Sequence, residues 1–220
     1  MPIPETWTSV VRASLADALT LILPVDCAGC GVRDITLCPA CAAALAPAIT
    51  TRTGAQVRVW SALAFDGPVA GVIRALKQDG RTGLARNLGP TLRAVFDQAC
   101  RELGVDPVVV PVPTSAAAFR RRGFRVAELV ARRAGIRVTP LLKTARVTAD
   151  QRRLGVSARR SNVAGSLTAR HPVDRPVLIL DDVVTTGATL SEADRALRSA
   201  GCEVLGAIVI AATPRRFGVR

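Results

Sequence analysis

The run "VLILDDVVTTGATL", residues 177–190, places two adjacent carboxylates after an apolar stretch and follows them with small hydroxylated residues around one glycine. The backbone N–H groups near Gly187 and the hydroxyls of Thr185, Thr186 and Thr189 can ring a phosphate, since glycine lets the main chain approach a ligand closely. Asp181 and Asp182 repel such an anion. They must therefore face a part of the same ligand that offers hydrogen-bond donors, and the vicinal hydroxyls of a ribose, with its 5-phosphate in the threonine loop, meet both demands. An apolar strand ending in Asp-Asp is also how ATPases hold magnesium, but no G-x-x-x-x-G-K-[ST] loop occurs in the chain. A purely structural reading, with Thr189 or Ser191 capping a helix and the aspartates serving its dipole, leaves the doubled acid followed by T-T-G-x-T unexplained.

A second constellation lies near the start. In "CAGCGVRDITLCPAC" the residues Cys27, Cys30, Cys38 and Cys41 form two C-x-x-C pairs separated by seven residues. Each pair folds as a tight turn that aims two sulfurs at one point, and two such turns supply the four thiolates of a tetrahedral zinc site. A redox disulfide needs one pair and usually sits in a βαβ context, whereas here the pairs are doubled in a loop-like stretch. A closed four-sulfur site leaves no open coordination position, so its role is structural or partner-binding. Cys100 and Cys202 stand alone and read as small buried hydrophobes.

These residues need elements to hold them. The stretch "VRVWSALAF" reads as a strand, "PVAGVIRALKQ" and "GLARNLGPTLRAVFDQACREL" as helices, and "DPVVVPVPTS" as a short strand ending in prolines. "VAELVARRAG" reads as a helix closed by Gly135, and "IRVTPLL" as a short strand. Residues 143–162 carry many charges with weak periodicity and read as a mobile loop. Strand "VLIL", helix "LSEADRALRSAG" and strand "EVLGAIVIAA" complete the order. Strands that are apolar along their whole length and alternate with helices predict an α/β fold with a parallel sheet covered on both faces. In such sheets ligands gather at the carboxyl ends of the strands, where Asp181 and the threonine loop fall.

The chain has 220 residues, 49% of them hydrophobic, enough for one domain of ordinary size and a small attachment. The expected division is residues 1–50 for an N-terminal amphipathic helix with the zinc knuckle, and 51–220 for the α/β domain. Its net charge of +13 favours an anionic partner, carried almost wholly by arginine, since Lys77 and Lys143 are the only lysines. With 3% aromatics and no tyrosine, the chain lacks the stacking platforms of single-stranded nucleic acid binders. The apolar stretch "WTSVVRASLADALTLILP" contains Arg12 and Asp17 and spaces its hydrophobic residues helically. It reads as neither a membrane span nor an export signal, which makes a cytoplasmic location the expectation.

The stretch "VLILDDVVTTGAT" resembles the phosphoribosyl pyrophosphate signature of type I phosphoribosyltransferases. The wider order of "CAGC", "CPAC", "LKQDG", "VPVPTS", "RRRGF" and "QRRLGVSARRSN" resembles the ComF family, which pairs a zinc knuckle with a phosphoribosyltransferase domain. The resemblance implies that Asp181 and Asp182, with Val183 beside them, bind the ribose hydroxyls. It places Thr185, Thr186, Gly187, Ala188 and Thr189 on the 5-phosphate and Thr114 and Ser115 on pyrophosphate. It also sets Gln151, Arg159 and Asn162 near the site. Where the family commonly reads R-G-F-N-Q, this chain has Arg122, Gly123, Phe124, Arg125 and Val126.

The implied reaction displaces pyrophosphate from C1 of phosphoribosyl pyrophosphate by a nitrogen nucleophile, with Mg2+ held mainly by substrate oxygens and structural Zn2+ in the knuckle. Lys77, Arg122 and Arg159 are the candidates to screen the leaving group, although Arg122, inside "FRRRGFR", reads as a solvated surface charge. His171 reads as a surface histidine. The alternative is a non-catalytic module in which the same fold serves competence and engages DNA or a DNA-processing partner, as the ComF resemblance allows.

Overall fold

The protein is described by a computed structural model covering residues 25–54, 57–145 and 165–214. The N-terminal helix expected before residue 25 and most of the segment expected as a loop, including Gln151, Arg159 and Asn162, lie outside the described residues.

Five strands form the main sheet in the order β1-β2-β7-β6-β3: β1 Thr50–Gly54, β2 Val57–Ala64, β3 Val108–Pro111, β6 Val177–Val184 and β7 Val204–Ala212. Contacts β2–β7, β7–β6 and β6–β3 are parallel. The edge strand β1 runs antiparallel to β2, so the sheet is mixed, not purely parallel. "TTRTG" has no apolar alternation; its strand state comes from pairing with β2, which the composition of the passage does not signal.

Both faces are covered. On one side, α2 (Gly67–Gln78), α3 (Ala85–Leu103) and α5 (Val126–Arg133) pack their apolar stripes on the strands, burying Ile73, Leu76, Leu88, Leu92 and Val130 with Leu178 and Leu180. On the other, α6 (Ala188–Ser199) buries Leu190, Ala193 and Leu197 against Ile179 and Val209. Each helix pattern repeats every three to four residues because only one face meets the sheet. A two-stranded hairpin, β4 (Leu142–Thr144) with β5 (Leu167–Ala169), packs beside α6. The carboxylate of Glu192, itself buried, accepts the Leu167 N–H at 3.0 Å and pairs with Arg195 at 2.7 Å. The expected strand "IRVTPLL" is thus split: Val138 makes one parallel bridge to Val109, and the regular strand begins only at Leu142.

Two short helices complete the fold, α1 (Pro39–Ala43) within the cysteine region and α4 (Ala116–Arg122). α4, "AAAFRRR", buries none of its residues, so no apolar periodicity marks it in the sequence. No helix among the described residues is long and apolar enough to cross a membrane.

Candidate functional site

β6 does not stop before the aspartates. It continues through Asp181 and Asp182 to Val184 because those residues still pair with β7, Asp181 opposite Val209 and Val184 opposite Ala212. Leu180 and Val183, three residues apart, both pack on the cluster with α2 and α3. The two-residue alternation of the strand therefore breaks at the two acids.

Asp182 reaches Lys77 of α2, with Nζ to Oδ1 at 2.8 Å and side-chain exposures of 25% for the lysine and 16% for the aspartate. The Asp182 N–H donates to Asp181 Oδ1 at 2.8 Å. Burial, and then the neighbouring Asp182 charge, push the Asp181 carboxyl up to about 7, against the opposing pull of that N–H and of Lys77. Two acids side by side cannot both ionise freely without a compensating partner.

A cavity of about 250 Å³ gathers Lys77, Thr114, Ser115, Arg122, Asp181, Asp182 and Thr189. Six of these were expected at the site from the sequence. Arg122 was expected as a solvated charge, and here the structure corrects the reading: its Nε is buried without a hydrogen-bond partner among the described residues and its side chain lines the cavity. The turn after β3 places Ser115 at the start of α4, its Oγ accepting the Ala118 N–H at 3.3 Å. Arg125 and Val126 take different roles from the arginine before them. Arg125 pairs with Glu128 and lies over the Phe119 ring, while Val126 is buried in the core.

The threonine loop turns at Gly187, whose φ of +84° is a conformation that glycine adopts without strain. Ala188 opens α6 and its N–H reaches Thr186 Oγ1 at 3.4 Å, while Ser191 donates to the Gly187 carbonyl at 3.1 Å. Ser191 thus bonds back to a carbonyl and does not cap the helix N–H groups through this contact. Thr185, Thr186 and Gly187 line a second cavity of about 300 Å³, together with Arg52, Val59 and Thr213. Arg52 was not found by sequence reasoning. It projects from β1 and donates to the carbonyls of Thr213 at 3.1 Å and Val184 at 3.4 Å, tying the edge strand to the ends of β7 and β6. Its only sequence signal was a lone arginine in a threonine-rich passage. His171 is exposed, with Nδ1 3.0 Å from the Pro172 carbonyl, and lines neither cavity.

The four cysteines also converge. Their sulfurs lie within 4.8 Å of one another, and those of Cys30 and Cys38 are 3.7 Å apart. Zinc–sulfur bonds of about 2.3 Å imply tetrahedral edges of about 3.8 Å, so the cluster fits a zinc ion. Amide donors support it, with the Cys38 N–H on Cys27 Sγ at 3.3 Å and the Cys41 N–H on Cys38 Sγ at 3.5 Å. Burial opposes the Cys27 thiolate, but the amides of Cys38, Cys30 and Gly29 outweigh it and bring the thiol down to about 6. Burial and the surrounding sulfurs push Cys41 the other way. A divalent cation at the centre removes that mutual opposition. The purified chain is expected to carry one zinc per molecule in a dye-chelation assay, and Cys27→Ser to fall well below that ratio. A wild-type chain that takes up no metal would contradict the assignment.

The phosphoribosyl transferase domain family matches residues 104–218, just over half of the chain and all of β3, β6, α6 and β7. The chain belongs to the phosphoribosyl transferase domain family. The chain is also similar to competence protein F of Haemophilus influenzae, at 27% identity over an alignment of 147 residues that covers 62% of this chain and 64% of that protein. It is 34% identical over 127 residues to adenine phosphoribosyltransferase of Clavibacter michiganensis subsp. michiganensis, covering 56% of this chain and 66% of that enzyme. The chain thus spans just under two thirds of each relative. Among solved structures, a crystal structure of adenine phosphoribosyltransferase is similar over 78% of this chain and 89% of that one, at 14% identity and a TM-score of 0.39. The likeness to competence protein F and the four-cysteine cluster in the same chain agree with the ComF resemblance of the sequence motifs.

Proposed function

We propose that this phosphoribosyl transferase domain binds phosphoribosyl pyrophosphate with magnesium and transfers its phosphoribosyl group to a nitrogen nucleophile. The observation that carries the reading is the cavity in which Asp181 and Asp182 face Lys77, Arg122 and the Thr114–Ser115 turn. Acceptors for a diol and donors for a pyrophosphate line the same cavity, which matches a ligand that carries both groups. The 5-phosphate is assigned to Thr185 through Thr189.

Magnesium takes oxygen ligands, and among the described residues the carboxylates lining this cavity are Asp181 and Asp182, the second already engaged by Lys77. These two residues would hold the ion only in part, the rest of its shell coming from substrate oxygens, and its chemistry there is to neutralise charge on the leaving pyrophosphate. In the reaction the nitrogen lone pair forms a bond to C1 of the ribose as the C1–O bond to pyrophosphate breaks. Pyrophosphate leaves with that electron pair, and the proton shed by the nitrogen passes to the departing pyrophosphate or to water. Positive charge develops at C1, so the protein's task is positioning and electrostatic screening: Asp181 and Asp182 fix the ring by its hydroxyls, while Lys77 and Arg122 meet the departing charge. Assay of pyrophosphate release across nucleobases and small amines tests the proposal. At least one acceptor is expected to give release that Arg122→Ala reduces about a hundredfold, and silence across the panel would remove the catalytic claim.

A second reading, a competence module that engages DNA or a DNA-processing partner, is favoured by the similarity to competence protein F and by one surface. Phe119 is 39% exposed, Arg125 lies 5.1 Å over its ring, and Arg120 and Arg121 are exposed beside it. Salt-dependent DNA binding that survives Asp181→Asn/Asp182→Asn would support it. Cytoplasmic placement belongs to the same proposal, since a four-thiolate metal cluster needs reduced cysteines.

A further inference from the structure

Two close approaches join the cysteine knuckle to α2. A Cβ on Gly71 would lie 2.6 Å from the Ala28 carbonyl oxygen and 2.9 Å from that of Gly29, so the first C-x-x-C turn rests its backbone directly on the helix. Gly29 is confined from the other side, where its Cβ would stand 2.6 Å from the Cys41 sulfur and 3.2 Å from Pro68 Cβ. No side chain enters at either position without parting the knuckle from the helix. Beyond the carboxyl end of α2, Arg81 donates to the carbonyls of Asp26 and Thr36, each at 2.8 Å. One planar guanidinium thereby ties together the two sides of the loop that carries Cys27 and Cys30. Lys77 lies between Gly71 and Arg81 in the chain, and its Nζ is the group 2.8 Å from Asp182. The knuckle therefore grips α2 on both sides of the residue that α2 delivers to the cavity.

We propose that Gly71 and Arg81 are positioning residues for Lys77, and that metal occupancy of the four-cysteine cluster decides whether the Lys77 ammonium stays seated at Asp182. Its consequence for substrate rests on the reading of the cavity given above; the mechanical coupling does not. With metal bound, the two C-x-x-C turns are fixed around one centre and present a rigid surface to Gly71 and Arg81. Without it, only weak amide–sulfur contacts such as Cys38 N–H to Cys27 Sγ hold the sulfurs together, and that surface loosens. Lysine approaches its partner on a flexible four-carbon stem, so a small displacement of α2 releases the pair.

The chain's two lysines supply the test, because Lys143 is exposed and serves as an internal reference. Limiting acetylation followed by peptide mass spectrometry reads the rate at Lys77 relative to Lys143. In the zinc-loaded chain Lys77 is expected to react roughly tenfold more slowly. Asp182→Asn breaks the pair directly and raises the ratio. Chelation of zinc and, independently, Arg81→Ala raise it too, and chelation adds nothing further in Asp182→Asn. Arg81→Ala is checked for retained zinc and a cooperative melt, so it carries the test where chelation unfolds the whole chain. A ratio unmoved by both chelation and Arg81→Ala, while Asp182→Asn raises it, overturns the proposal; so does a ratio that Asp182→Asn fails to move. Absence of phosphoribosyl pyrophosphate binding to the same zinc-loaded chain would count against the cavity reading alone.

Discussion

The melting temperature of the wild-type chain is expected to rise by about 5–10 °C when phosphoribosyl pyrophosphate and magnesium are present at roughly one hundred times the dissociation constant. In Asp181→Asn/Asp182→Asn the rise is expected to vanish. The magnitudes decide this. Ligand at that concentration contributes about 2.7 kcal/mol to the folded state. Hydrogen bonds to charged groups are worth about 1.5–3 kcal/mol each, so above about pH 7, where the Asp181 carboxyl has released its proton, loss of two charged acceptors removes about 3–6 kcal/mol of binding. Affinity then falls by about two to four orders of magnitude, below what the same ligand concentration can detect. Asparagine keeps the size of aspartate, which separates the loss of charge from a change of shape. A wild-type chain that shows no rise, or a double variant that rises equally, would be incompatible with the assigned ligand.

The second large effect is one of pH. Asp181 is raised from its ordinary 3.8 to about 7 by burial and by Asp182. Below pH 3.8 the carboxyl is protonated in both folded and unfolded chains, and its burial carries no ionic cost. As pH rises from 3.8 the unfolded chain releases the proton while the folded one retains it, so stability falls, and the loss is complete above about 7. The shift corresponds to about 4 kcal/mol. Asp181→Asn is therefore expected to stabilise the chain by roughly 2–4 kcal/mol at pH 8.5 and by little at pH 4, because the asparagine oxygen keeps the Asp182 N–H without carrying charge. Denaturant melts at the two pH values read the difference, and a gain that does not depend on pH would contradict the placement of this carboxyl. The same variant is expected to lose ligand, and on the proposed function that binding role accounts for a native aspartate held at the expense of stability.

Much of this arrangement was legible in the sequence. The apolar run of β6, the paired acids and the threonine loop fell next to one another, and parallel βαβ geometry put them at the carboxyl edge of the sheet. The cysteine spacing was sufficient for the knuckle because chemistry, not packing, sets it. What was not legible depended on long-range pairing or on burial of a charge. β1 is a strand only because β2 lies beside it, and with β1 goes Arg52, brought to the threonine loop from 132 residues away. α4 has no buried face to give it a period. Arg122 belongs to a run of arginines, and only the fold distinguishes the one whose Nε is buried at the cavity from its exposed neighbours Arg120 and Arg121. The threonines expected at one site with the aspartates line two separate cavities, Thr189 in one and Thr185 with Thr186 in the other, on either side of the turn at Gly187.

A crystal structure of the chain grown with phosphoribosyl pyrophosphate and magnesium tests the central assignment most directly. The expected result has both ribose hydroxyls within hydrogen-bonding distance of Asp181 and Asp182, the 5-phosphate on the amides of Thr185 through Thr189, and pyrophosphate turned toward Lys77 and Arg122. Sugar density elsewhere on the surface, with the Lys77–Asp182 pair still closed, would contradict it.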